Sequence, residues 1–144
     1  MISLLDANVL LALGDHNHPH HPASIRFLEV TAIRHGWATC PLTENAYLRI
    51  MGRHRSTGQG MSTSDARLSL QSIVNNPGHS FWPEDLSLCD ARAFPFLPAA
   101  KDLTDIYLLG LAVKNGGRLA TFDSKIDPAP IPGGVQSFYF IPTT

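Results

Sequence analysis

Cysteine is scarce in this chain, since only Cys40 and Cys89 occur among its 144 residues. The two lie far apart and form no CxxC pair, so neither a disulfide scaffold nor a cysteine-ligated zinc site is expected. Unpaired cysteines are typical of proteins in a reducing compartment. We therefore expect the protein to be cytoplasmic.

A charge excess is also lacking, because 11 Lys and Arg residues stand against 12 Asp and Glu residues, for a net charge of -1. A surface this close to neutrality does not attract nucleic acid as a whole. A local basic patch would still suffice for an RNA or DNA partner.

Long hydrophobic runs are missing as well. The first apolar stretch, ISLLDANVLLAL, contains Asp6 and is about twelve residues long, too short and too polar to span a bilayer. It has neither the basic front end nor the cleavage site of a signal peptide. GxGxxG and GxxxxGKS/T motifs are absent from the sequence, which argues against dinucleotide-binding and P-loop proteins.

Short apolar segments alternate with helical ones along the chain. The predicted strands are ISLL, WATC, HSFW, RLAT and VQSFYF. The predicted helices are ANVLLALG, PASIRFLEVTAIRHG, LTENAYLRIM, TSDARLSLQSIVNN, a short one within PEDLSLCDARAF, and TDIYLLGLAVKNGG. This alternation predicts an α/β protein, a three-layer α/β/α sandwich with a mostly parallel five-stranded sheet. In such sheets the active site lies at the carboxyl ends of the strands.

Four acidic residues fall at that predicted edge. Asp6 and Asp123 each follow a strand, and Glu44 and Asp105 each lie in the first turn of a helix. Each has a simpler explanation, because acids favour helix N-termini and turns. Helix capping, however, does not require the four to converge at one edge, as this fold would make them do.

Convergence of carboxylates carries an energetic cost. Two of them about 4 Å apart repel by roughly 4 kcal/mol at an effective dielectric constant of 20. Only Lys101 and Lys125 lie beside any of the four acids in sequence, so a bound cation is the economical solution. Oxygen ligands favour Mg²⁺ or Mn²⁺ over zinc. These ions activate water and stabilise charge on a phosphoryl group.

The motifs LLDANVLLAL, CPLTENAYLRI, LTDIYLLGLA and LATFD follow one another along the chain. Together they resemble the PIN-domain nucleases, specifically the VapC-type toxins of bacterial type II toxin–antitoxin modules. The resemblance covers essentially the whole chain and implies a single PIN-like nuclease domain over residues 1–144. It implies an endoribonuclease that depends on Mg²⁺ or Mn²⁺, hydrolyses RNA with metal-activated water and leaves a 5′-phosphate.

The same resemblance implies partners and site residues. The partners are an RNA substrate, a cognate VapB-type antitoxin and a second copy in a homodimer, with no membrane involved. Asp6, Glu44, Asp105 and Asp123 match the catalytic, metal-binding acids of the family. Asn8 and Thr121 lie where the family often has polar groups beside the metal site.

Asp102 departs from the pattern, because relatives more usually have a basic or neutral residue three positions before the acid that Asp105 matches. It is either the N-cap of the helix or an additional group at the metal site. Its spacing to Asp105 favours the cap.

The segment RIMGRHR supplies candidate RNA contacts at Arg49, Arg53 and Arg55. These side chains could bind phosphates. The alternatives are a solvated basic turn, or a pairing of Arg49 with an acid inside the fold.

The segment DHNHPHH contains His16, His18, His20 and His21. Their spacing forms no compact helical ligand pair and no cysteine lies near, so a zinc site is not expected there. A loop at the entrance of the active site is the alternative.

Rival enzyme classes fit less well. A phosphoaspartyl phosphatase needs a second acid where this chain has Asn8, and a receiver domain needs adjacent acids that LLDAN lacks. The remaining alternative is a non-catalytic RNA- or antitoxin-binding module on the same fold. The presence of all four acids argues against it.

Overall fold

The computed structural model describes residues 1–53 and 60–144. The strands are β1 (Ser3–Leu5), β2 (Trp37–Thr39), β3 (His79–Phe81), β4 (Arg118–Thr121) and β5 (Phe138–Phe140). The helices are α1 (Ala7–Gly14), α2 (His21–Phe27), α3 (Ile33–His35), α4 (Pro41–Gly52), α5 (Thr63–Val74) and α6 (Leu103–Lys114). Among these described helices, none is long and apolar enough to cross a membrane.

The strands form one sheet in the order β3-β2-β1-β4-β5, and all four pairings are parallel. The predicted mostly parallel, five-stranded sheet is therefore confirmed. Strand β1 is central and completely buried, whereas the edge strands β3 and β5 are partly exposed. Because every strand runs the same way, all five carboxyl ends lie at one edge of the sheet.

Helices cover both faces of the sheet, which confirms the three-layer α/β/α prediction. Side chains of a strand alternate between faces, and in β1 the adjacent Leu4 and Leu5 enter two different cores. Leu5 packs with α1 to α5, and Leu4 packs with α6 and the chain segments that follow β3 and β4. Helix α6 is therefore the main cover of its face.

The long helix predicted from PASIRFLEVTAIRHG is present but interrupted. A π-helical stretch, Leu28–Ala32, joins α2 to α3. Such a wide turn inserts a residue without breaking the helix, and both Leu28 and Ala32 stay buried. Gly36 ends the helix with φ of 91°, a conformation that glycine adopts without strain.

The prediction of a short helix within PEDLSLCDARAF is wrong, since this segment consists of turns and extended chain. In one turn the Asp90 carboxylate accepts a hydrogen bond from the backbone N–H of Arg92 at 3.0 Å, a local bond that competes with helix formation. The Glu84 carboxylate accepts the backbone N–H of Leu42 in the first turn of α4. It thereby satisfies a free amide of another helix.

Close packing against this segment holds α6 in place. A methyl group added at Gly110 would stand 2.6 Å from ring carbons of Phe94. The Phe94 ring is buried and stacks on Tyr107 with the ring centroids 6.1 Å apart. Glycine in α6 therefore lets the chain after β3 approach the helix that carries Asp105.

We predict that Gly110→Ala lowers the free energy of unfolding. Alanine in an exposed helix would stabilise the protein by about 1 kcal/mol relative to glycine. Overpacking against Phe94 costs about 1–3 kcal/mol and outweighs this gain. Urea unfolding measures the difference. In a Phe94→Leu background, where the ring is gone, the same substitution should be neutral or stabilising. A stabilising effect with Phe94 intact would contradict the packing.

Candidate active site

Asp6 is the first residue after β1 and the N-cap of α1, and only 7% of it is exposed. Its Oδ1 accepts the backbone N–H of Ala7 at 2.7 Å, and its Oδ2 accepts the hydroxyl of Thr121 at 2.8 Å. Burial raises the pKa of Asp6, and these two hydrogen bonds oppose the rise. The side chain therefore caps a helix with one oxygen and reaches β4 with the other.

The hydroxyl of Thr121 ties the polar groups at this edge together. Besides donating to Asp6, it accepts from Asn8 Nδ2 at 3.1 Å and from the backbone N–H of Asp123 at 3.0 Å. A hydroxyl has one donor and two acceptor sites, so its capacity is fully used. Asn8 in turn accepts the backbone N–H of Phe122 through Oδ1 at 3.2 Å. Asn8 and Thr121 thus contact the elements that carry two of the predicted acids.

Asp123 holds a turn and lines a cleft. Its Oδ1 accepts the backbone N–H of Lys125 at 2.9 Å, as expected of an acid after a strand. The cleft has a volume of about 180 Å³, and its polar wall contains Asp102, Asp105, Asp123, Lys125 and Asp127. Two of the four predicted acids therefore line one concave surface.

Asp105, in the first turn of α6, shows the clearest electrostatic perturbation. Its pKa is raised from 3.8 to about 6. Burial is the largest cause, followed by the negative charges of Asp6, Asp123 and Asp102. The structure therefore brings three of the predicted acids, together with Asp102, within electrostatic reach of one another.

No basic side chain forms an ion pair with Asp6, Asp105 or Asp123 in the part of the chain that the structure describes, where the ion pairs are Arg92–Asp90 and Lys114–Asp85. Within residues 1–53 and 60–144, no three His, Cys, Asp or Glu side chains stand close enough to hold a metal ion as placed. Carboxylates without a counter-charge nonetheless suit a hard divalent cation. The chemistry of these oxygen donors therefore suits Mg²⁺ or Mn²⁺, although their spacing in the described ranges does not itself form a metal site.

Glu44 is the predicted acid that the structure places differently. It lies in the first turn of α4, as expected, but its Oε2 accepts the hydroxyl of Thr39 at 2.7 Å. The same hydroxyl contacts Nε2 of His79 at 2.8 Å. Thr39 and His79 were not among the residues predicted from sequence. The one feature of the sequence that could have identified Thr39 is that it is a polar residue at the end of the apolar strand β2, as Thr121 is at the end of β4.

Asp102 occupies the predicted N-cap position of α6, but its side chain makes no capping hydrogen bond. The capping role is therefore wrong. A capping side chain needs an extended backbone, whereas Asp102 has φ of −104° and ψ of 2° because it ends a 3₁₀ turn, Ala100–Asp102. It lines the cleft and helps raise the pKa of Asp105 instead.

The predicted RNA contacts lie at the far end of α4. Arg49 is exposed and donates to Asn45 Oδ1 at 2.9 Å, so the alternative pairing with an acid inside the fold is wrong. Arg53 follows the helix and is exposed. Arg55 lies outside the described residues. A contact of these arginines with RNA stays a prediction.

The histidine-rich loop packs on itself and on the end of β4. The ring of His20 lies 4.9 Å from that of Phe122, measured between centroids. Nδ1 of His21 contacts the carbonyl oxygen of Ala12 at 2.7 Å, so this nitrogen is already engaged. Burial, followed by the charge of His20, lowers the pKa of His18. The loop therefore borders the strand end that precedes Asp123.

Comparison with known proteins places this chain in a family. The chain is 36% identical to ribonuclease VapC39 of Mycobacterium tuberculosis over 138 residues, covering 94% of this chain and 99% of the relative. It is 37% identical to ribonuclease VapC29 of the same species over 144 residues, covering 100% and 99%. The chain belongs to the VapC ribonuclease family. The predicted VapC-type ribonuclease toxin is thereby confirmed.

The fold of the VapC family is also found by structural comparison. The crystal structure of M. tuberculosis VapC20, a toxin described as cleaving the sarcin–ricin loop, superposes with a TM-score of 0.61 at 12% identity. The match covers 90% of this chain and 96% of that one. At this identity it shows the shared fold alone. No family model matches the chain.

Removing the Thr121 hydroxyl should destabilise this VapC-family protein. Thr121→Val preserves the shape but leaves Asp6 without its donor and two amides without their acceptor. Leaving buried polar groups unsatisfied costs about 1–3 kcal/mol, to be measured by urea unfolding. Thr121→Ser keeps the hydroxyl and should retain most of the stability. Equal stabilities of the Val and Ser variants would argue against the role of the hydroxyl.

The raised pKa of Asp105 predicts how stability depends on pH in the absence of divalent metal. Between pH 3.8 and about 6 the folded state binds more protons at Asp105 than the unfolded state does. The contribution of Asp105 to stability should therefore fall as pH rises through this window and be absent at pH 7.

Asp105→Asn tests this dependence, because the amide does not ionise. In thermal unfolding with a chelator present, the variant should exceed the wild type in melting temperature at pH 7. The difference should vanish below pH 4, where the wild-type carboxyl is protonated. Parallel melting curves at all pH values would show that Asp105 does not titrate in this way.

Proposed function

We propose that this VapC-family ribonuclease is a Mg²⁺- or Mn²⁺-dependent endoribonuclease, the toxin of a toxin–antitoxin pair. In this proposal Asp6, Asp105 and Asp123 hold the metal, and Glu44 completes its ligand set. The observation that carries the proposal is that Asp105 and Asp123, together with Asp102 and Asp127, line one cleft. Carboxylate charges gathered without a basic partner favour a cation.

Several residues of the chain have separate roles in the proposed reaction. Thr121 orients Asp6 and fixes the turn that carries Asp123, and the first turn of α6 presents Asp105 to the same cleft. Asn8 keeps the backbone beyond β4 in place. A cation held by Asp6, Asp105, Asp123 and Glu44 would supply activation of water and neutralisation of charge on the phosphoryl group; hydrolysis of the P–O3′ bond would leave a 5′-phosphate and a 3′-hydroxyl.

RNA is the substrate in this proposal, and its phosphates need positive partners on a chain with a net charge of -1. Arg49, Arg53 and Arg55 supply them along and after α4. Lys125 adds an exposed ammonium group in the cleft wall. Without the cation, the acids of the cleft would repel the phosphodiester. The metal therefore serves substrate binding as well as chemistry.

The remaining parts of the proposal concern assembly and location. Residues 1–144 form a single nuclease domain that dimerises with a second copy in the cytoplasm. A VapB-type antitoxin neutralises it by placing a basic side chain among the acids, where an arginine substitutes for the cation. This is supported by the lack of a basic partner for Asp6, Asp105 and Asp123 within the described ranges.

We predict that Asp105→Asn abolishes cleavage of total cellular RNA while the protein stays folded. The loss should be about 100-fold or more, because several kcal/mol of charge stabilisation depend on the ligand set. Cleavage is followed with antitoxin-free protein in Mg²⁺, Mn²⁺ or chelator, and the new RNA ends are sequenced. Asp90→Asn is the matched control, since this partly exposed acid lies outside the cleft.

Three outcomes separate the proposal from its alternative. Discrete cuts that need metal and Asp105, and that leave 5′-phosphates, support the nuclease. RNA binding without cuts under any metal condition supports a non-catalytic RNA- or antitoxin-binding module. Cuts that persist in chelator or in Asp105→Asn overturn the assigned site.

A further inference from the structure

A chain of hydrogen bonds reaches Glu44 from a different part of the sheet. Nε2 of His79 lies 2.8 Å from the hydroxyl of Thr39, and that hydroxyl lies 2.7 Å from Oε2 of Glu44. Thr39 ends β2 and is fully buried, while His79 begins β3 and is partly exposed. Because His79 is paired with Trp37, its ring reaches Thr39 diagonally across the two strands.

The chemistry of the three groups fixes the direction of these bonds. A carboxylate in the ionised form that binds cations can only accept hydrogen bonds. The single hydrogen of the Thr39 hydroxyl therefore goes to Glu44. The remaining contact of that hydroxyl must be as an acceptor, so Nε2 of His79 carries a hydrogen and donates it. Only this tautomer completes the chain.

Packing holds the imidazole in the orientation that this donation needs. The ring of His79 lies against Trp37, with centroids 4.7 Å apart and planes inclined by 59°. Trp37 is itself fully buried, and its Nε1 donates to the carbonyl oxygen of Pro77 at 3.0 Å. The ring of His79, which begins this chain of hydrogen bonds, is therefore held in place by the buried and hydrogen-bonded side chain of Trp37.

We propose that His79 is a positioning residue for Glu44, acting through Thr39. By donating to the Thr39 oxygen, His79 fixes the hydroxyl so that its hydrogen points at Oε2. Among the residues that the structure describes, no side chain bonds the second oxygen, Oε1. Oε2 of Glu44 is thus held by the neutral Thr39 hydroxyl, which leaves Oε1 as the oxygen that would bind the proposed metal. This inference rests on the proposed metal-dependent function.

Loss of the His79 donor should weaken metal binding without removing a ligand. Outer partners of metal ligands typically contribute 10–100-fold in metal affinity. When His79 no longer donates to it, the Thr39 hydroxyl can rotate toward another acceptor. Glu44 then loses the hydrogen bond that fixes its orientation. We expect His79→Phe, which keeps an aromatic ring against Trp37, to lower Mn²⁺ affinity about tenfold.

Titration with Mn²⁺ alone, on full-length protein without RNA, tests this directly. Free Mn²⁺ is followed by electron paramagnetic resonance in the wild type, His79→Phe, His79→Gln, Thr39→Val and the double variant His79→Phe/Thr39→Val. His79→Gln retains a side-chain N–H donor and should recover most of the lost affinity. Thr39→Val should lose as much as His79→Phe. The double variant should lose no more than Thr39→Val, because both act through one chain.

The outcomes distinguish failure of the inference from failure of the proposed function. Wild-type affinity in His79→Phe, or losses that add in the double variant, would overturn the role of His79 while leaving the metal site intact. Absence of Mn²⁺ binding by the wild type, or binding unchanged by Asp105→Asn, would overturn the metal site itself. Should His79→Phe fail to fold, His79→Leu, which also lacks the donor, takes its place: it should lose the affinity that His79→Gln retains, and equal affinities of the two would overturn the role of His79.

Discussion

The hydroxyl of Thr121 is the group on which the arrangement of this site depends. Parallel pairing of Leu5 with Ala120 brings the next residues of β1 and β4, Asp6 and Thr121, side by side at the carboxyl edge. The hydroxyl then uses its one hydrogen and both lone pairs on Asp6, Asn8 and the turn after β4. Residues more than a hundred positions apart in sequence are thus joined by one buried side chain, which the register of β1 against β4 places beside Asp6.

The clustered acids of the site destabilise the folded protein. Burial and like charges raise the pKa of Asp105 to about 6, which means that its ionised form is disfavoured in the folded protein. The sheet tolerates this because two cores on either side are closed by apolar side chains. A bound cation would turn the same charges from a destabilising feature into a source of affinity.

Features with a local physical cause could be predicted from the sequence. Gly14 ends α1, and Asp6 interrupts an apolar run because a strand ends there. Features set by distant contacts could not. The π-helical stretch Leu28–Ala32 has the same apolar spacing as an ordinary helix. The segment after β3 has helix-forming residues, yet Glu84 bonds the start of α4 and Phe94 packs under Gly110.

Glu44 shows, within the site, the same limit on what can be predicted from the sequence. Its motif identifies the residue, and its place in the first turn of α4 follows from the proline and the strand before it. Its orientation depends instead on β3, because only the register that pairs Trp37 with His79 sets an imidazole against Thr39. The charges of Asp6 and Asp123 therefore act on Asp105, whereas Glu44 is not among the charges that shift its pKa. Since the Thr39 hydroxyl is held from an edge strand, a change in β3 would reach Glu44 without touching any other acid.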